Sequence, residues 1–74
     1  MGRRTSAIRI EQNPNVMMGK PVIAGTRITV EAVVRQFAAG ASLAWVLEGY
    51  PELKEEDIRA ALLYAADRVA EAAH

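Results

Sequence analysis

Hydrophobic positions along the chain change period once, near Thr29. Before it the apolar runs are short and broken by turn chemistry. Ala7-Ile8-Arg9-Ile10-Glu11 alternates apolar and charged, which predicts a short half-buried edge strand with Ile8 and Ile10 on one face and Arg9 on the other. Asn13-Pro14-Asn15 ends it, since proline fixes φ and asparagine tolerates unusual backbone angles. Val16-Met17-Met18 is a brief apolar stretch halted by Gly19-Lys20-Pro21, where the proline keeps Lys20 out of the helical region. Pro21-Val22-Ile23 and Thr26-Arg27-Ile28 then flank Ala24-Gly25. A type II turn, or a type I turn with a glycine bulge, would need the positive φ that Gly25 can supply.

From Thr29 the period is 3.6. Val30, Val33, Val34 and Phe37 share a face, Thr29 is a natural N-cap, and Gly40 suits the left-handed position after the helix. Ser42 caps a shorter helix over 43–48, with Leu43, Val46 and Leu47 inward and Gly49 as its stop. After Tyr50-Pro51-Glu52-Leu53, residues 54–73 predict the longest helix, and Glu55, Glu56 and Asp57 stand where the positive end of its dipole favours acids. Ile58, Ala61, Leu62, Ala65 and Val69 form its expected core stripe. Leu63, Ala66, Ala70 and Ala73 form a second stripe beside it. That arc is wider than one small core can cover, so Leu63, Ala66 and Ala70, with Tyr64 off both stripes, are candidate partner contacts.

The expected fold is mainly α: a short N-terminal β-strand or hairpin segment followed by a three-helix bundle. A chain of 74 residues holds a single domain. It divides into a flexible N-terminus over 1–6, a β segment with turns over 7–28, and the bundle over 29–73. A core this small barely offsets the entropy of ordering the chain, so self-association or a partner is expected. Trp45 reads as filler for a core or dimer contact, and Tyr50 as packing at the inter-helix corner.

Zero net charge conceals an asymmetry. Residues 1–37 carry six bases against two acids, a balance of +4; residues 38–74 carry three against seven, a balance of −4. The basic half is the minimum footprint for phosphates or an acidic protein cleft. Arg3, Arg4, Arg9, Lys20 and Arg27 are its candidate DNA contacts. Arg27 has a structural alternative, a salt bridge to Glu31 that ties the turn to the first helix.

Catalytic chemistry finds little to work with. Cysteine is absent, which removes disulfides and thiolate zinc sites and favours a reducing compartment. His74 is the one histidine and stands last, so histidine triads and histidine metal sites are excluded. Gly19-Lys20 lacks the upstream glycine and the following Ser or Thr of a phosphate loop. Glu55, Glu56 and Asp57 point in three directions on consecutive helical positions and suit the dipole better than acid–base work. No catalytic residue, metal or cofactor is expected. Neither a signal peptide nor a membrane-spanning run is legible, so a cytoplasmic protein is expected.

The phrase Gly19-Lys20-Pro21-Val22-Ile23-Ala24-Gly25-Thr26-Arg27-Ile28, preceded by Asn13-Pro14 and followed by Gly40, Ser42 and Tyr50-Pro51-Glu52-Leu53, is more specific than any of these motifs. It resembles the small bacterial family known as domain of unknown function 433, over residues 8 to about 66. The resemblance implies a homeodomain-like, helix-turn-helix-related fold in proteins regarded as VapB-type antitoxins, often encoded beside a PIN-like ribonuclease. The family's distinctive residues fall on Gly19, Pro21, Gly25, Thr26, Arg27, Gly40, Tyr50 and Pro51, most of which read as backbone punctuation. Two positions depart from the family pattern. Met18 stands where a second glycine is usual, and Lys54 stands where Thr or Ser would cap the last helix.

Three functions are therefore expected in order. The first is a non-catalytic antitoxin that inhibits a PIN-like ribonuclease and, with it, binds its own operator DNA. The second is a stand-alone DNA-binding regulator, whose contacts would come from the basic N-terminal region because the acids of the last helix oppose phosphate. The third is a homodimeric interaction module without nucleic acid.

Overall fold

The computed structural model describes residues 9–72. Among them the order is strand β1 (Ile10–Glu11), strand β2 (Val22–Ile23), then helices α1 (Val30–Ala38), α2 (Leu43–Gly49) and α3 (Glu55–Ala72). The two strands pair antiparallel, with Ile10 opposite Ile23 and Glu11 opposite Val22. The strand expected from residue 7 is shorter: it begins at Ile10, and Ile8 lies outside the described residues. On its other side β2 meets the chain again, through an Ile23 N–H to Ile28 carbonyl bond of 2.9 Å and a bridge between Val22 and Thr29. This double pairing buries Val22 and Ile23 almost completely.

The turn between them is type II. Thr26 N–H donates to the Ile23 carbonyl at 3.0 Å, and Gly25, third of the four residues, has φ +80°. The Thr26 hydroxyl also donates to the Ile23 carbonyl (2.8 Å) and accepts from Ile28 N–H (2.9 Å), which closes the loop on itself.

Helix boundaries follow local chemistry. Thr29 Oγ1 accepts from Ala32 N–H at 3.0 Å and Ser42 Oγ from Trp45 N–H at 3.1 Å, so both predicted N-caps operate. α1 ends in a Schellman motif: Gly40 N–H reaches the Phe37 carbonyl, Ala41 N–H reaches the Gln36 carbonyl, and Gly40 takes φ +100°. Gly49 behaves otherwise than expected. It is the last residue of α2 without a left-handed φ, and the helix stops at Tyr50, ahead of Pro51, which cannot continue it. Lys54 offers α3 no capping oxygen, but Asp57 supplies the reciprocal half of a capping box. Its Oδ2 accepts from Lys54 N–H at 2.9 Å.

The core gathers Ile10, Ile23, Val30, Val33, Val46, Leu53, Ile58, Ala60 and Ala61, with Ile28, Phe37, Leu43, Leu47, Tyr50 and Ala65 packed around it. α1 lies chiefly against α3, with α2 beside α1 and β1 against α3. The expected core stripe of α3 is therefore only partly correct. Ile58 and Ala61 are fully buried, but Leu62 is 38% and Val69 68% exposed, and Ala60 takes the place assigned to Leu62. Leu62 stands at the edge of a shallow pocket with Phe37, Leu43 and Ile58, whereas for Val69 the reason is length. The body against which α3 packs ends near Ala65, and every residue from Ala66 to Ala72 is exposed. Trp45 is also 60% exposed and fills no core in this chain.

Candidate functional site

α1 and α3 diverge on the side facing the segment before β2, and the gap is an open groove of about 590 Å³. Its floor is apolar: Pro21, Val30, Val34 and Ala38 from one side, Ala65 and Val69 from the other. Helical spacing explains the alignment, since Val30, Val34 and Ala38 are successive i, i+4 neighbours, as are Ala65 and Val69. Lys20, Glu31, Arg35 and Arg68 stand around it together with Gln12 and Tyr64.

Charge on this rim is unequal. Glu31 accepts from Arg35 Nε at 2.9 Å and from Lys20 Nζ at 3.2 Å. Those two hydrogen bonds, Arg35 first, hold the Glu31 carboxyl below its ordinary pKa. One carboxylate thus faces two cations. Arg68 adds a third, lying 5.9 Å from the centre of the Tyr64 ring in a cation–π arrangement. It makes no ion pair among the described residues, so the rim carries a surplus of two positive charges. The Tyr64 hydroxyl donates to Gln12 Oε1 at 3.1 Å, anchoring the floor of α3 to the loop after β1.

The predicted DNA contacts do not assemble into one patch. Arg9 is turned inward: its Nη1 is 2.8 Å from Asp57 and its Nη2 3.8 Å from Glu56, with the side chain 31% exposed. Lys20 is held by Glu31 on the groove rim. Arg27 is exposed on the turn after β2, and the salt bridge to Glu31 expected of it is not formed; Glu31 pairs with Lys20 and Arg35 instead. Arg3 and Arg4 lie outside the described residues.

The predicted partner contacts split as well. Leu63, Ala66 and Ala70 share the exposed flank of α3, with Leu63 51% exposed. At about 100° per residue Tyr64 projects well away from that flank, toward the groove. Of the family-motif positions, Gly25, Thr26 and Gly40 form the turn and the helix stop described above, while Pro21 lines the groove. Gly19 has φ +84° and follows two methionines that are also left-handed, Met17 at +49° and Met18 at +59°. Tyr50 packs on the core beside exposed Pro51.

Sequence reasoning missed the groove. Val34 packs against the core as its spacing predicts and also lines the groove, since two consecutive apolar residues widen a helical arc beyond a single contact. That width was the available signal. Arg35 and Arg68 carried none, because exposed arginines on helices are ordinary.

Residues 10–65 match the family model described as a protein of unknown function, DUF433. The chain belongs to the DUF433 family. The match runs from β1 to the middle of α3 and ends where α3 leaves the body, so Arg68 and Val69, the far wall of the groove, lie beyond the family segment. This DUF433 chain is 41% identical over 56 residues to the uncharacterized protein y4eO of Sinorhizobium fredii (strain NBRC 101917 / NGR234), a match that covers 76% of the chain and 25% of y4eO. A crystal structure of a DUF433 member protein from Anabaena variabilis ATCC 29413 superposes with a TM-score of 0.80 at 33% identity, covering 85% of this chain and 62% of that one. The DUF433 chain thus spans about a quarter of y4eO and under two thirds of the Anabaena protein. No helix among its described residues is long and apolar enough to cross a membrane.

Proposed function

We propose that this chain is a non-catalytic antitoxin that binds and inhibits a PIN-like ribonuclease. One observation carries the reading. α3 presents Leu63, Ala66 and Ala70 to solvent on one flank, apolar surface that the described residues leave uncovered. A stable protein interface buries roughly 1,200–2,000 Å² in total, and this flank supplies a contiguous apolar start to it. The match to a quarter of the longer y4eO also suits a module that works joined to something else.

Inhibition then requires position, not chemistry. PIN-like nucleases hold metal ions on clustered carboxylates, and a guanidinium placed there competes with the metal for the same charge. Arg27 suits this better than Arg9, because it is exposed on a turn and makes no ion pair among the described residues, whereas Arg9 is already neutralised by Asp57. Operator binding by the complex belongs to the same proposal. A stand-alone DNA-binding regulator draws less support, since Arg9 is already paired with Asp57 and Lys20 and Arg27 do not join it in one patch.

The test is co-expression with a PIN-like ribonuclease, sought first among the genes adjacent to this one. The two chains should co-purify and toxicity should fall, with Arg27→Glu weakening protection. A ribonuclease that stays toxic and fails to co-purify removes the proposal.

A further inference from the structure

The groove between α1 and α3 is separate from the exposed flank of α3. Its size falls within the roughly 300–1,000 Å³ typical of binding clefts. Its composition narrows the occupant. An apolar floor formed by Val34, Ala38, Ala65 and Val69 offers nothing to a phosphate backbone, which is recognised by donors along its whole track. It does offer seats for apolar side chains spaced at i, i+3, i+4 and i+7, the pattern by which a groove holds an amphipathic helix. The surplus charge of Lys20, Arg35 and Arg68 on the rim then selects acids on the flanks of that helix.

We infer that this groove receives an acidic amphipathic helix from a partner protein, with its apolar side chains on Val34, Ala38, Ala65 and Val69 and its carboxylates on Arg35 and Arg68. On the antitoxin reading, which this inference extends, the partner is the ribonuclease and the groove is a second point of attachment.

A fluorescent 14-residue peptide with two Leu-Glu-Glu-Leu-Leu-Glu-Ala repeats, and its isomer with Lys for every Glu, test the inference on the full chain. The acidic peptide should bind about tenfold more tightly than the lysine isomer. Amide NMR shifts should fall at Val34, Ala38, Ala65 and Val69. Arg35→Ala with Arg68→Ala should abolish the preference, and the double Glu substitution should reverse it; both side chains are exposed, so the fold is retained. Equal binding of the two peptides overturns the inference, as do shifts confined to Leu63 and Ala66. So does displacement of the acidic peptide by a DNA duplex, or a groove already filled by a second copy, seen as a doubled mass in light scattering that the double Glu substitution returns to that of one chain. The two readings fail separately. Peptide binding without toxin rescue removes the antitoxin and keeps the groove, whereas toxin co-purification unchanged by the arginine substitutions removes the groove from that complex.

Discussion

Met18→Gly should stabilise this protein, although glycine on an exposed segment ordinarily does the opposite. Met18 has φ +59° and ψ +31°, the left-handed region that a Cβ disfavours, and it follows Met17 at φ +49°. The segment is held there from both ends, by Gly19 N–H to the Val16 carbonyl at 3.0 Å and Lys20 N–H to the Met17 carbonyl at 3.1 Å. A left-handed non-glycine residue costs roughly 1–2 kcal/mol, and removing the Cβ recovers that cost. Against it stands the greater freedom of glycine in the unfolded chain, about 0.5–1 kcal/mol. Lost packing is negligible, since Met18 is 89% exposed. The net gain is about 0–1.5 kcal/mol, centred on roughly 0.75, which for a domain of this size raises Tm by about 3–6 °C at the centre of the range. Thermal unfolding followed by circular dichroism reads it. Met18→Ala keeps the Cβ and should show no comparable gain, while Met18→Val should lose stability because a branched side chain suits this region least. A lower Tm for Met18→Gly would refute the reasoning, because it would mean that residue 18 does not occupy the left-handed region in solution.

Three further outcomes follow from named contacts. Thr29→Ala should cost about 1 kcal/mol in urea unfolding by leaving Ala32 N–H without its cap, and Thr29→Ser should restore most of it. Asp57→Ala removes both the Arg9 partner and the acceptor for Lys54 N–H, so it should cost about 1–2 kcal/mol, whereas Glu55→Ala, which loses an exposed i, i+4 pair with Arg59, should stay within about 0.5 kcal/mol. Glu31, its pKa lowered by Arg35 and Lys20, contributes stability that is fully present above the ordinary glutamate range and is lost as pH falls through the lowered value. Glu31→Gln should therefore flatten part of the acid limb of the stability–pH curve, and a curve of unchanged shape would show that those pairs do not persist in solution.

The turn at Ala24-Gly25, the caps at Thr29 and Ser42, and the stop at Gly40 were legible from sequence because each depends on interactions within a few residues. Glycine at a positive φ and a hydroxyl aimed three residues ahead work wherever they are placed. Helical periodicity likewise told which residues of α1 and α2 turn inward. What it could not tell was where the body of the protein ends. Val69 continues the apolar stripe of Ile58, Ala61 and Ala65, but burial depends on a neighbour, and α3 leaves the body after Ala65. The same holds for charge. Arg9, Lys20 and Arg27 looked equivalent as basic residues near the N-terminus, yet the approach of α3 to β1 gives Arg9 to Asp57, the approach of α1 to the Met17–Gly19 turn gives Lys20 to Glu31, and Arg27 is left exposed on its turn. Local backbone chemistry is carried in the residues themselves; exposed apolar surface and uncompensated charge are properties of distances between remote segments, and those exist only once the chain has folded.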